Sequence, residues 1–232
     1  MRLRFLSEAD AERAERVLRK LAQHDLRNWA LAGGFAFEFH SLNLGLDCRA
    51  RALNDLDFIT GTFIGIPETL SQDFLFRHVH PFAPPGKIML QLIDRDAALR
   101  IDVFRASIDT MNRVALQMAS LEDLVARAAR FLFDLAQGVP VARKHASDYL
   151  RAIEHVDSEK MEVAWQDHRK AMHPTTFQEA RSALEHLIPA SADLLATPRY
   201  SQDPNEVCPR CAPTRAFQLA DPRVVLSLLG YC

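Results

Sequence analysis

Two aspartates separated by one residue, Asp55 and Asp57, are the residues of this sequence best suited to hold a metal ion. Their segment alternates in polarity, which predicts a β-strand with both carboxylates on one face and Leu56 and Phe58 on the other. The two carboxylates are then about 6–7 Å apart along the strand, and like charges this close repel unless a cation lies between them. Oxygen ligands with room for water favour Mg²⁺. The alternative is a solvated strand face.

A third acid and a pair of glycines add to this interpretation. Asp102 lies in a predicted strand of β-branched and aromatic residues, where a carboxylate is costly unless it is paired or bound to a ligand. The alternative for Asp102 is a half-exposed strand position. Gly33 and Gly34 separate a short apolar strand from a helix, so backbone N–H groups at that helix N-terminus are available to bind phosphate. The alternative for the glycines is an ordinary turn.

The spacing of apolar residues predicts the elements that position these side chains. The first part of the chain mixes helices, over 7–24 and 35–44, with strands over 29–32, 55–60, 74–79, 87–93 and 99–105. The second part is helical, with capping boxes at Ser120 and Thr176 and helices over 120–136, 143–155, 158–171 and 176–188. This order of elements predicts an α+β fold.

The order of these motifs resembles that of the nucleotidyltransferase superfamily, which has a palm like that of DNA polymerase β. The shared pattern is a glycine turn that opens a helix, an arginine, two aspartates spaced by one residue and a third aspartate on a later strand. Here these residues are Gly33-Gly34, Arg51, Asp55-Leu56-Asp57 and Asp102. The match is closest to AbiEii-like toxins, which also carry a helix beginning Ser-x-Glu-Asp-Leu and a later lysine–aspartate helical motif. In this chain those features are residues 120–124 and the pair Lys144 and Asp148, so the resemblance covers roughly residues 20–155.

The chain departs from the family pattern in four places. The stretch between the glycine turn and the first aspartate is several residues longer, and Leu53 replaces a small hydroxyl residue. Arg127 stands where a lysine often sits, and His145 stands where an acid is expected. The departures leave the three aspartates intact and bear on nucleotide selectivity and on the pocket for the second substrate.

The resemblance implies a fold and a domain organisation. Residues 1–115 would form a nucleotidyltransferase palm with a mixed β-sheet flanked by helices. Residues 116–197 would form a helical region that closes the cleft, and 198–232 a proline-rich tail with a short apolar segment.

The resemblance also implies a reaction, which is Mg²⁺-dependent transfer of an NMP from an NTP to a hydroxyl acceptor, with release of pyrophosphate. The acceptor would be an RNA end, a protein side chain or a small molecule. Catalysis and metal binding would fall to Asp55, Asp57 and Asp102. Nucleotide binding would fall to Gly33, Gly34, Arg51, Lys144 and Asp148.

Two alternatives accompany these assignments. Lys144 and Asp148 are also spaced for an ordinary i,i+4 ion pair on a helix.

The resemblance to the toxins implies a phage-defence role and an antitoxin partner. The alternative function is a catalytically inactive nucleotidyltransferase fold that binds or regulates a partner.

Composition narrows the classes of protein to be considered. The chain has 232 residues, of which 48% are hydrophobic and 25% charged, as in globular domains. With 28 basic and 30 acidic residues the net charge is −2, which weakly disfavours a large RNA acceptor. No stretch approaches the roughly 20 consecutive apolar residues of a membrane span, and residues 1–10 do not resemble a secretory signal. We therefore expect a cytoplasmic protein without membrane contact.

Cys208 and Cys211 have the spacing of a zinc-ligand pair, but a structural zinc site needs four ligands. Cys232 with His168 or His173 would have to complete the set. Incidental reduced thiols are the favoured interpretation, and a zinc-stapled interaction protein is a third hypothesis.

Overall fold

The computed structural model describes residues 5–47, 50–64, 66–80 and 89–197. Within these ranges the chain is an α+β structure, which confirms the predicted class. The helices are α1 (Glu8–Leu21), α2 (Gly33–Asn43), α3 (Leu70–Asp73), α4 (Ile108–Asn112), α5 (Leu121–Leu132), α6 (Arg143–Ala152), α7 (Ser158–His168) and α8 (Phe177–Ala190). The strands are β1 (Trp29–Ala32), β2 (Asp55–Thr60), β3 (Phe74–His80), β4 (Met89–Asp94), β5 (Leu99–Arg105), β6 (Val141–Ala142) and β7 (Leu195–Ala196). Short 3₁₀ turns cover Phe133–Gln137, Ile153–His155 and Ala192–Leu194.

Strands β1 to β5 form a mixed sheet in the order β1-β2-β5-β4-β3, which confirms the expected mixed sheet. β2 and β5 are parallel, and the other neighbouring pairs are antiparallel. The register places Asp55 beside Arg100 and Asp57 beside Asp102, and it places Gln91 of β4 on the other side of Asp102. Because residues paired across strands lie on the same face, these five polar side chains share one face of the sheet.

The opposite face of the sheet is apolar and packs against α1. Leu56, Ile101 and Val103 are fully buried there, in a cluster that includes Ala14 and Val17 of α1. Burying a side chain of this size stabilises a fold by about 1.5–3 kcal/mol relative to exposure. A shift of one residue in the register would turn these side chains to the polar face. Burial of the apolar face therefore holds the acidic face in its position.

A second apolar cluster joins the helical part of the chain to the sheet. It contains the inner faces of α5, α6, α7 and α8, with Trp165 fully buried and donating from Nε1 to the Pro174 carbonyl at 3.0 Å. Ala32 of β1 and Phe37 of α2 belong to the same cluster. The helices of the second half therefore pack against the strand and the helix that flank the glycine turn.

Side-chain N-caps begin helices α1, α5 and α8, two of them at Ser120 and Thr176, where capping boxes are predicted. Ser7, Ser120 and Thr176 each accept a hydrogen bond from the backbone N–H three residues further on, and Thr176 forms a complete capping box with Glu179. Helices α1 and α7 end three residues earlier than predicted. The 3₁₀ turns over Phe133–Gln137 and Ile153–His155 continue α5 and α6 to about their predicted ends. After α1, the His24 ring is bound by Asp73 at 2.8 Å.

The strands over 29–32, 55–60 and 99–105 have the predicted bounds. The strand predicted over 74–79 is one residue longer, and the one predicted over 87–93 begins two residues later and ends one residue later. Three short features were not predicted: α3, α4 and the parallel pairing of β6 with β7. With two to five residues each, they are too short to show a periodic pattern. In the described ranges, no helix is both long and apolar enough to cross a membrane.

Candidate functional site

Three carboxylates converge on the polar face of the sheet. One oxygen each from Asp55, Asp57 and Asp102 lies within 4.8 Å of the other two. Asp102 is buried, and the other two side chains are partly exposed. The parallel pairing of β2 and β5 produces this arrangement, because it sets Asp57 directly beside Asp102. The structure therefore brings together the three aspartates predicted to bind metal.

Arg100 and Gln91 bind two of these carboxylates from neighbouring positions. Arg100 donates from Nη2 to Asp55 Oδ2 at 2.5 Å, and its Nε lies 3.3 Å from Asp102 Oδ2. Gln91 donates from Nε2 to Asp102 Oδ1 at 2.6 Å. One arginine thus balances part of the negative charge of the group, and a cation that joins Asp55 to Asp102 has to displace it.

The pKa values of two of the three aspartates are raised. Burial, reinforced by the charge of Asp55, raises the pKa of Asp57 to about 7, although Arg127 and Lys144 oppose the shift. Burial also raises the pKa of Asp102, although Arg100 opposes it. Acids whose ionised form is disfavoured in this way gain from a bound cation.

The glycine turn lies directly against the aspartates. Gly33 has φ +62°, a conformation that glycine adopts without strain. A Cβ at Gly33 would lie 2.7 Å from the Asp57 Cβ and closer still to its carboxylate, and a Cβ at Gly34 would lie 2.8 Å from Arg51 Nη1. Close packing and backbone conformation therefore both require glycine at Gly33, whereas a side chain at Gly34 would have to displace the Arg51 guanidinium group.

A cavity of about 200 Å³ opens over the three aspartates. Its walls include both glycines together with Lys144 and Asp148 of α6. The predicted helical placement of Lys144 and Asp148 is confirmed. The ion pair of Asp148 is with Arg51. The assignment of these residues to nucleotide binding stays a prediction.

A second cavity of about 350 Å³ adjoins the first and shares Gly34, Asp55 and Lys144 with it. Apolar side chains such as Phe35 form part of its wall, and so does Arg51. The two cavities thus share a wall formed by the glycine turn and the start of α6.

The helices that meet at this wall differ from the others at their N-termini. Among described helices of at least eight residues, α1, α5, α7 and α8 have side-chain N-caps, whereas α2 and α6 begin after Ala32 and Ala142 without one. Neither α2 nor α6 has an acid in its first turn. The positive dipole end of each of these two helices therefore favours a bound anion.

The other end of the first cavity is aromatic. Phe104 and Phe131 line it, with the Arg127 guanidinium 4.6 Å from the centre of the Phe104 ring. The His145 ring lies 4.9 Å from that of Phe131. Arg127 and His145, two of the departures from the family pattern, are thus part of the cavity wall.

Glu38 and Arg151 were not identified from the sequence, although they contact predicted site residues. Glu38 is fully buried and accepts hydrogen bonds from Arg51 at 2.6 Å and from Arg151 at 2.8 Å. Arg100 and Gln91 were missed as well. A usable signal existed for Glu38, a lone acid in an otherwise apolar helix start, and for Gln91, a lone amide in an apolar strand.

A second acidic group, formed by Asp123, Asp167 and His168, already has internal partners. Arg113 donates to Asp123 at 2.6 Å and to Asp167 at 2.8 Å, and His168 binds Asp123 at 2.9 Å. Although burial opposes it, bonding by His168 and Arg113 lowers the pKa of Asp123 to about 2. This network joins α4, α5 and α7, and Arg113 fills the space between its carboxylates.

The zinc hypothesis concerns residues that the structure covers only in part. Cys208, Cys211 and Cys232 lie outside the described residues. His168 is engaged by Asp123, and His173 is buried beside Phe133 and Trp165 with ring centres 4.9 and 5.9 Å away.

Comparison with known proteins adds little to this geometry. No protein-family model and no curated protein matches the chain. Among solved structures, the crystal structure of JHP933 from Helicobacter pylori is 16% identical, with a TM-score of 0.44 over 82% of this chain and 83% of that chain. Similarity at this level assigns neither a family nor a function.

Proposed function

We propose that this chain is a divalent-cation-dependent nucleotidyltransferase that moves an NMP from an NTP to a hydroxyl group. One observation carries the proposal: three carboxylates from two strands face the N-termini of two helices that lack side-chain caps. The carboxylates provide ligands for a cation, and the helix N-termini provide donors for phosphate oxygens. A metal-bound triphosphate requires both kinds of ligand side by side.

The donor set fits Mg²⁺. Asp55, Asp57 and Asp102 offer only oxygen atoms, which lie within 4.8 Å of one another. A cation with ligand distances of about 2.1 Å would draw these oxygens together and displace Arg100 from Asp55 and Asp102. A bound Mg²⁺ supplies positive charge at the phosphate oxygens where bonds form and break. Without such a positive charge the ionised form of Asp57 is disfavoured, which is why its pKa is raised.

Other groups that line the cavity would bind the phosphates and accept the proton. The backbone N–H groups at Gly33 and Gly34 and the ammonium group of Lys144 would bind the β- and γ-phosphates. The acceptor oxygen would form a bond to the α-phosphorus while the bond from that phosphorus to the bridging oxygen breaks, so that pyrophosphate leaves. Asp102, whose pKa burial raises, would accept the hydroxyl proton.

The test is transfer of label from each α-³²P-NTP, with Mg²⁺, to total RNA, cell protein or aminoglycosides in separate reactions. We expect label on one acceptor class with the wild-type protein and at least a hundredfold less with Asp57→Asn, which keeps the size of the side chain. Asp123→Asn is the matched control, because it alters a buried carboxylate outside both cavities. Transfer that survives Asp57→Asn would contradict the proposal.

A non-catalytic binding module is the second candidate, and Arg100 is the observation that favours it. Its contacts with Asp55 and Asp102 partly neutralise the site without a metal. Binding of Mg²⁺–NTP without transfer to any acceptor class would support this candidate. The toxin or defence role and the antitoxin partner stay proposals that follow from the family resemblance.

A further inference from the structure

A buried network of four charged residues lies behind the wall that the two cavities share. At its centre is Glu38 of α2, which accepts from Arg51 Nε at 2.6 Å and from Arg151 Nη2 at 2.8 Å. Arg51 is also paired with Asp148, and Arg151 donates to Ser41 at 2.6 Å. Glu38 is fully buried, and these two guanidinium groups are the cations that pair with its carboxylate.

The network connects the three segments that carry the candidate site. Glu38 lies one helical turn after the glycines on α2, and Arg51 lies four residues before Asp55. Asp148 lies one turn after Lys144 on α6. Arg51 also lies close to the glycine turn, since its Nη1 is 2.8 Å from where a Cβ of Gly34 would be.

The guanidinium groups also pack on one ring. The Arg51 and Arg151 carbon atoms Cζ lie 5.8 and 4.9 Å from the centre of the Phe37 ring, which belongs to the helical cluster. Contacts of this kind favour one arrangement of both arginines. The relative position of α2 and α6 is thus specified by charge pairing and by packing together.

We infer that Glu38 is a positioning residue, which sets the distance between the N-terminus of α2 and Lys144 and so shapes the binding site for a chain of phosphates. Loss of its charge would leave Arg51 and Arg151 without their shared partner and would remove the ion pair that links α2 to α6. The inference rests on the proposed function, but it concerns phosphate binding alone and does not depend on the base or on the acceptor.

The experiment measures the affinity of the full chain for magnesium tripolyphosphate and, separately, for Mn²⁺ alone by titration calorimetry. For Glu38→Gln we expect about tenfold weaker tripolyphosphate binding and Mn²⁺ binding within twofold of wild type. When Lys144→Ala is already present, adding Glu38→Gln should weaken tripolyphosphate binding by less than a further twofold, because Glu38 acts through Lys144. Arg151→Gln keeps the Glu38–Arg51 pair and should weaken tripolyphosphate binding about threefold. This variant replaces Glu38→Gln in the test if Glu38→Gln does not fold.

Asp123→Asn is the control for a purely structural effect, since that carboxylate lies in a comparable buried network outside both cavities. It should lower the melting temperature and leave tripolyphosphate affinity within twofold of wild type. Unchanged affinity in Glu38→Gln, or a full additional loss in the Lys144→Ala background, would overturn the inference. So would a wild-type protein that does not bind tripolyphosphate, whereas the label-transfer experiment separately judges the proposed function.

Discussion

At Gly33, the absence of a side chain allows the Asp57 carboxylate to lie against the start of α2. Gly33→Ala would force a methyl group into Asp57 and would also impose a left-handed conformation costing about 1–2 kcal/mol. We expect at least tenfold weaker Mn²⁺ binding and a lower melting temperature, measured by titration and by thermal unfolding.

Gly45→Ala is the matched control. Gly45 has φ +69°, close to that of Gly33, but a Cβ there would have no atom of the described residues within 4 Å. This variant should lose similar stability and keep wild-type Mn²⁺ affinity. Equal Mn²⁺ affinity in the two variants would show that contact between the turn and Asp57 is unimportant for metal binding.

The raised pKa of Asp57 predicts how stability varies with pH in the presence of EDTA. Because the pKa is about 7 in the folded state and near 3.8 when unfolded, the folded state binds more protons between these values. The contribution of Asp57 to the free energy of unfolding therefore falls as pH rises from about 4 to 7 and is constant above 7.

Asp57→Asn isolates this contribution, because the amide does not titrate. In urea unfolding with EDTA, the variant should match wild type near pH 4 and become progressively more stable than it up to about pH 7. A constant difference between the two proteins over this range would contradict the assigned pKa.

At the scale of elements, α2 and α6 have no side-chain N-cap. A residue that caps such a helix stabilises it, but a negatively charged cap also competes with a bound anion. Ala142→Ser and Ala142→Asp would each cap α6 and should stabilise the fold by about 0.5–2 kcal/mol. The aspartate would in addition place a negative charge where phosphate is proposed to bind. We expect Ala142→Asp to weaken magnesium tripolyphosphate binding at least tenfold, and Ala142→Ser to weaken it less, measured by calorimetry beside thermal unfolding.

The sign of the two effects makes this test informative. Loss of tripolyphosphate affinity together with a gain in melting temperature cannot come from a damaged fold. If Ala142→Asp binds tripolyphosphate as wild type does, then the α6 N-terminus is not part of the phosphate site.

At the scale of the whole molecule, the two tryptophans report on the two apolar clusters. Trp29 belongs to the cluster between the sheet and α1, and Trp165 to the helical cluster. Leu31 of β1 packs against both clusters, and Ala32 and Phe37 join the helical one. We therefore expect one cooperative unfolding transition rather than two.

Urea unfolding of Trp29→Phe and Trp165→Phe, followed by the fluorescence of the remaining tryptophan, checks this expectation. Each curve is compared with the far-ultraviolet circular dichroism of the same variant. The two probes should give the same midpoint in each variant. An earlier fluorescence transition for Trp165 would show that the helical part unfolds on its own.

The sequence by itself determined the α+β class, the principal strands of the sheet, the helix starts and the three aspartates. Each depends on a pattern within a few residues: alternation in strands, capping residues at helix starts, and a costly acid such as Asp102 in an apolar strand. Burial of one face then leaves little freedom in which way the strand side chains point.

Only the tertiary structure decided which charges meet. Arg100 binds Asp55 across two strands that are distant in sequence, and Glu38 joins Arg51 to Arg151 across three segments. Pairing of this kind has no local periodicity, since it depends on how elements far apart in the chain pack together. The same packing brings the uncapped N-termini of α2 and α6 to one wall, which turns separate motifs into a candidate site.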